Sequence, residues 1–223
     1  MPALDDRALA HRSSIYKTGK VMASNGRTID AFPSGITEAA GLVLRDQVAA
    51  ERATSTIETG FALGLSALFL IEGAGSEASH TAIDPFQKSD WLDAGVRTIT
   101  DAGLADRVEL IREDSAIALP MLLAEGRGFD LGFVDGGHHF EHAFLDVYYM
   151  TRLVRPRGLV IVDDLWMPAV QAAVAYATSN LGCTSEAHPN PAAKRFAILR
   201  LPQAPPARAW DHFSPFVPAP TNA

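Results

Sequence analysis

Cysteine is nearly absent: Cys183 stands alone among 223 residues. A single thiol excludes an internal disulfide and a thiolate-rich zinc site, and it suits a reducing compartment. Positive charge is also scarce, with 19 Lys and Arg against 26 Asp and Glu, for a net charge of -7. The densest basic run, Arg152, Arg155 and Arg157, reads as a helix end followed by a turn. A nucleic-acid partner is therefore not expected, because tracking phosphates needs clustered cations. Long apolar runs are missing too. The longest, Phe61 to Ile71, falls short of the roughly 20 residues that span a bilayer. Asp5, Asp6, Arg7, His11 and Arg12 interrupt the N-terminal stretch, so no signal-peptide pattern forms there. These scarcities predict a soluble, cytoplasmic chain with no membrane partner.

Hydrophobic residues are present in quantity, at 48%. That suffices to bury one sizeable core. Residues 1–33 are weakly patterned and read as an N-terminal extension with one short helix. Residues 202–223 are rich in Pro and Ala and read as an irregular tail. Between them, over 34–201, apolar runs of strand type alternate with helical spacing. Strands are expected at Ser55 to Glu58, His80 to Asp84, Val108 to Arg112, Asp130 to Val134, Leu159 to Val162 and Arg195 to Leu201. Helices are expected at Ile36 to Ala49, Leu63 to Glu72, Asp90 to Ala102, Ala116 to Ala124, Glu141 to Val154 and Val170 to Leu181. The runs Leu131 to Val134 and Leu159 to Val162 lack polar alternation, as strands buried on both faces do. The expected architecture is α/β: a doubly wound, Rossmann-like, mostly parallel seven-stranded sheet with helices on both faces. Cys183 to His188 pairs by proximity with Arg195 to Leu201 across Pro189-Asn190-Pro191, which predicts a terminal antiparallel strand.

In an open α/β sheet, ligands bind beyond the carboxyl ends of the strands. Here those ends read Glu58-Thr59-Gly60, Asp84, Glu113-Asp114-Ser115, Asp135-Gly136-Gly137-His138 and Asp163-Asp164. Any one carboxylate could simply cap a turn. Five at one edge point to a site. The first loop has Gly60 and Gly64 spaced Gly-x-x-x-Gly. It lacks the Gly-x-Gly-x-x-Gly that seats a pyrophosphate and the Lys of a P-loop. A dinucleotide or an NTP is thus disfavoured, and a nucleoside cofactor without phosphates remains. Asp84 can accept from both ribose hydroxyls, or cap the turn before Pro85.

The run Glu58-x-Gly60-x-x-x-Gly64-x-Ser66, the later Asp84, and the ends Asp135 and Asp163-Asp164 resemble the small metal-dependent O-methyltransferases of the catechol and caffeoyl-CoA type. The resemblance covers roughly Ile36 to Pro168. Asp135-Gly-Gly-His138-x-Phe-x-His and Asp163-Asp164-Leu-Trp166 look closer to the branch that methylates sugar hydroxyls of macrolides. The resemblance implies S-adenosylmethionine as cofactor. Glu58, Gly60, Gly64 and Ser66 would contact its amino-acid end, with Ile36 packed nearby. Asp84 would hold the ribose, Asp114 and Ser115 would meet the adenine, and Asp135 would also border the cofactor.

Three carboxylates, Asp135, Asp163 and Asp164, at two strand ends would repel unless a cation compensates them. All-oxygen ligation suits Mg²⁺; the alternative is that Asp164 caps the next helix and only Asp163 faces the site. A metal would lower the pKa of an acceptor hydroxyl and fix its oxygen. His138 is the first choice for general base, since imidazole titrates near neutral pH. His139 ranks second and His142 reads as structural. Trp166 and Met167, directly after the aspartates, have a positional reason to face an acceptor. The late loop Pro189 to Lys194 carries no acid, which argues against a catechol. The expected activity is Mg-dependent O-methylation of a small hydroxylated molecule: a sugar, a phenol or another natural product. A metal-independent N- or O-methyltransferase and a non-catalytic cofactor-binding module stay open beside it. A homodimer is compatible with the two weakly patterned ends.

Overall fold

The computed structural model describes residues 5–216. Residues 1–4 of the expected extension and 217–223 of the expected tail lie outside the described residues. The chain forms two compact units, divided between Asp114 and Ser115.

In the first unit, helix α1 (Asp6–Thr18) starts where the Asp5 side chain accepts from the Ala8 N–H, and it stops at Gly19 with φ 66°. A side-chain cap replaces one missing intrahelical partner, and glycine accepts the left-handed turn that ends the helix. A hairpin follows, β1 (Lys20–Met22) with β2 (Thr28–Asp30). The sequence did not announce it, because strands of three residues carry too little alternation to read. Helix α2 (Glu38–Ala50) is capped by Thr37. Strands β3 (Ser55–Thr59), β4 (Ser79–Ile83) and β5 (Val108–Ile111) are parallel neighbours. Between them run α3 (Leu65–Ala74) and α4 (Ala94–Asp101). Helix α3 is buried almost all round, from Leu65 to Ile71, so its sequence shows no polar stripe. It packs on α2 closely enough that a Cβ on Gly41 would come within 2.2 Å of the Phe69 ring.

The second unit opens with α5 (Ser115–Ala124), then β6 (Phe129–Val134), α6 (Phe140–Leu153), β7 (Val154–Val162) and α7 (Pro168–Asn180). Strands β6 and β7 are parallel. Strand β9 (Ala197–Arg200) runs antiparallel to β7 and also to the short β8 (Thr184–Glu186). The residues Arg155 to Gly158 differ from expectation. They form no turn but belong to β7, which starts directly where α6 ends. The pairing passes from Phe129↔Val154 to Leu131↔Leu159, so the extra residues bulge out of the ladder. Arg157 absorbs the bend at φ 61°. The Gly158 position has no room for a Cβ, which would lie 2.6 Å from Val154 Cγ1.

Hydrogen bonding orders the strands β5-β4-β3-β6-β7-β9-β8 in one seven-stranded sheet. It is mostly parallel, with the antiparallel β9 and β8 at one edge and helices flanking it. Among the described residues no helix is long and apolar enough to cross a membrane.

Candidate active site

In the first unit, the glycine loop is held by a chain of buried polar groups. Glu58, near the end of β3, accepts from Ser66 Oγ at 2.6 Å. Its other oxygen lies 3.0 Å from His80 Nε2, and His80 Nδ1 lies 2.8 Å from Thr56 Oγ1. Every link is satisfied if Thr56 donates to His80 and His80 donates to Glu58. The Glu58 carboxylate then meets only a hydroxyl and an imidazole. Gly60 turns with φ 86° and Gly64 with φ 72°. Gly64 supplies the start of α3, and a Cβ there would sit 3.0 Å from the Gly95 carbonyl oxygen. Ile36 is buried ahead of α2, its carbonyl accepting from Tyr16 Oη at 2.8 Å.

Asp84 is buried just beyond β4. Its Oδ2 accepts from Ala62 N at 2.7 Å and Gln87 Nε2 at 3.0 Å, and its Oδ1 accepts from Phe86 N at 2.7 Å. Asp84 is thus a turn cap first. A carboxylate offers about four lone-pair sites, so a place for a ribose hydroxyl remains. The side chains of Thr59 and Gln87 add a ligand-directed feature that sequence reasoning missed. Thr59 Oγ1 and Gln87 Oε1 are buried with no hydrogen-bond partner. Unpaired buried polar atoms beside a glycine loop fit a polar cofactor that would satisfy them. Asp114 and Ser115 sit half-buried at the turn into α5.

In the second unit, Asp135 follows β6, and Asp163 and Asp164 follow β7. His138 Nε2 lies 2.9 Å from Asp164 Oδ2 and 3.9 Å from Asp135 Oδ1. Among the described residues, Asp135, His138 and Asp164 form a converging group, with ligand-type atoms within 4.8 Å of one another. The His138 side chain stays 39% exposed. The carboxylates of Asp135 and Asp164 stabilise the imidazolium and push His138 up to about 10, against its partial burial. Burial raises Asp135 to about 7, against the attraction of His138. Asp164 is held below the usual carboxylate range, chiefly by His138. Asp164 also adopts φ 53°, a left-handed backbone that Asp tolerates better than most residues. Its Oδ1 accepts from Trp166 Nε1 at 3.0 Å, which ties an indole 63% exposed to the cluster.

Asp163 stands apart from the expected magnesium trio. Both its oxygens are taken by Arg195, with Nε to Oδ1 at 2.5 Å and Nη2 to Oδ2 at 2.6 Å. The Asp163 side chain has no exposed surface. Asp163, already carrying a bidentate guanidinium, therefore does not complete the expected three-carboxylate cation site. Arg195 was read only as the first residue of a strand. Nothing local marks it, because it lies 32 residues from its partner in sequence. Of the other histidines, His139 is the exposed cap residue of α6. His142 tucks under the Gly136-Gly137 turn, where a Cβ on Gly137 would come 2.5 Å from its Nδ1. Met167 precedes α7, and its N–H donates to the Asp164 carbonyl at 2.8 Å.

A family model described as a methyltransferase domain matches residues 57–165. A protein of Mycobacterium sp. (strain JLS), named as an O-methyltransferase, is 27% identical over 168 residues, covering 72% of this chain and 71% of its own. The crystal structure of cofactor-bound Rv0187 from MTB superposes with TM-score 0.65 at 21% identity, covering 89% of this chain and 91% of that one. The O-methyltransferase from Bacillus cereus in complex with SAH gives 0.64 at 18% identity, over 87% and 89%. The matched domain spans the glycine loop, Asp84, Asp135 and the Asp163-Asp164 pair. Residues 57–165 thus match a methyltransferase domain, and the sheet around them has the class I, Rossmann-like fold of the S-adenosylmethionine-dependent methyltransferases.

Proposed function

We propose that this enzyme transfers a methyl group to a hydroxyl oxygen of a small molecule, such as a sugar, a phenol or another natural product, with His138 as general base. The observation that carries the reading is the exposed His138 ring, held by carboxylates through one nitrogen. Nε2 faces Asp164 and Asp135, so the carboxylates orient the ring and Nδ1 is the atom that takes the acceptor proton. The O-methyltransferase names of the relatives support oxygen as the methylated atom. When bound, S-adenosylmethionine supplies a methyl carbon that the acceptor oxygen attacks as the carbon–sulfur bond breaks, the electron pair leaving with sulfur in S-adenosylhomocysteine. His138 removes the hydroxyl proton as the oxygen–carbon bond forms and returns it to solvent through its exposed edge. Trp166 offers an exposed aromatic face for the acceptor body.

For the cofactor, the reading assigns Glu58, Gly60, Gly64, Ser66 and Ile36 to the amino-acid end. Asp84 takes the ribose, and Asp114 and Ser115 take the adenine. Glu58, whose partners are a hydroxyl and an imidazole, suits the ammonium of that end. The expected magnesium is left without its Asp163 ligand, and no step in this mechanism requires it.

Two measurements test the reading. Calorimetric titration of S-adenosylhomocysteine into the whole protein should show binding, and its absence would remove the cofactor assignment. A turnover assay over phenolic and sugar acceptors should then show His138→Ala slower by about 100- to 10,000-fold. Product affinity in that variant should stay unchanged. Full turnover by His138→Ala would sink the base assignment.

A further inference from the structure

Strand β9 runs antiparallel to β7, with Val162 opposite Ala197. A residue just before an antiparallel strand lies at the edge where its parallel neighbour ends. The short 3-10 helix Pro191–Arg195 thereby delivers Arg195 beside Asp163 and Asp164. The position is fixed by backbone as well: the Arg195 carbonyl accepts from Leu165 N at 2.8 Å. The guanidinium grips Asp163 with two parallel bonds of 2.5 and 2.6 Å, and Nη2 reaches Asp164 Oδ1 at 3.3 Å. A planar fork matched to a carboxylate is the strongest cationic partner a side chain offers. Arg195 thus brings a positive charge against two of the three carboxylates. A divalent ion ligated by all three carboxylates would have to displace Arg195 from a buried Asp163.

We propose that Arg195 supplies the positive charge which a divalent cation would otherwise supply beside these carboxylates, so that this chain methylates its acceptor without a metal. Arg195 acts through Asp163 and Asp164, as a positioning residue. It holds both carboxylates in place, and leaves Asp164 to hold the His138 ring. This rests on the O-methyl reading above.

The test uses Mn²⁺ as a paramagnetic probe of the whole protein, followed by the loss of its free EPR signal, alongside turnover with and without EDTA. Wild-type protein should bind no stoichiometric Mn²⁺, and its turnover should survive excess EDTA. Arg195→Met, which keeps length and removes charge, should gain a stoichiometric Mn²⁺ site. Its turnover should fall by about 100-fold and recover partly with added Mg²⁺. Arg195→Lys should behave between the two. A wild-type protein that takes up Mn²⁺ and loses turnover in EDTA overturns the proposal, and so does an Arg195→Met variant that folds and takes up no Mn²⁺. Should Arg195→Met fail to fold, the two wild-type arms decide alone. Full turnover by His138→Ala with no Mn²⁺ uptake by wild type would remove the base assignment and leave this one standing.

Discussion

At the scale of the residue, His138 carries the sharpest consequence. Two carboxylates stabilise its imidazolium, so its pKa stands at about 10, above the roughly 6.5 of a free side chain. A base must be neutral to accept a proton. The rate constant kcat/KM should therefore keep rising with pH well beyond neutrality and level off only near that raised value. Asp164→Asn removes the nearer carboxylate and should shift this limb toward lower pH. A wild-type profile that levels off near the ordinary imidazole value would show that the carboxylates do not govern the ring. Linkage gives a second readout with a defined sign. Because the folded pKa is raised, the His138 contribution to stability is fully present below about 6.5. It is lost as pH climbs through about 10. Denaturant midpoints of wild type and His138→Ala should thus differ at pH 6 and converge in strong alkali.

At the scale of the element, two contacts hold the glycine loop and the helix that follows it. One is the chain Thr56–His80–Glu58–Ser66, which ties β3, β4 and the first turn of α3 together. His80→Leu leaves one oxygen of a buried carboxylate unpaired. A cost of about 1–3 kcal/mol is expected, read as a lower urea midpoint, with weaker binding of S-adenosylhomocysteine beside it. An unchanged midpoint would mean that Glu58 finds another donor. The other is the seam between α2 and α3, where Gly41 faces Phe69. Gly41→Ala places a methyl 2.2 Å from that ring and should cost about 1–3 kcal/mol by overpacking, despite alanine's better helix propensity. A stabilised Gly41→Ala would show that the seam can open.

At the scale of the whole molecule, a mostly parallel seven-stranded sheet with a terminal antiparallel strand was legible before any coordinates, and the structure supplies its order β5-β4-β3-β6-β7-β9-β8. Alternating strand and helix runs imply parallel pairing, and the unbroken apolar runs of β6 and β7 mark them as central. The homodimer remains a prediction at this scale. Light scattering should give twice the 23.9 kDa chain mass, and a single-chain mass would overturn it.

What the amino-acid order determined by itself is the architecture and the cast of carboxylates. Periodicity is a local signal, and carboxylates at strand ends are visible as soon as the strands are. The short hairpin of β1 and β2 and the bulge at Arg155 to Gly158 were beyond it, since three-residue strands and bulges are set by their partners. Only the tertiary structure decided which charge neutralises which. Asp163 could be read as a metal ligand while its neighbours in sequence were the only context. Arg195 reaches it because an antiparallel strand starts where a parallel one ends, and pairing at such separation follows from the register of β7 and β9. Ionic partnership depends on distances of a few ångströms, and only the folded chain sets those.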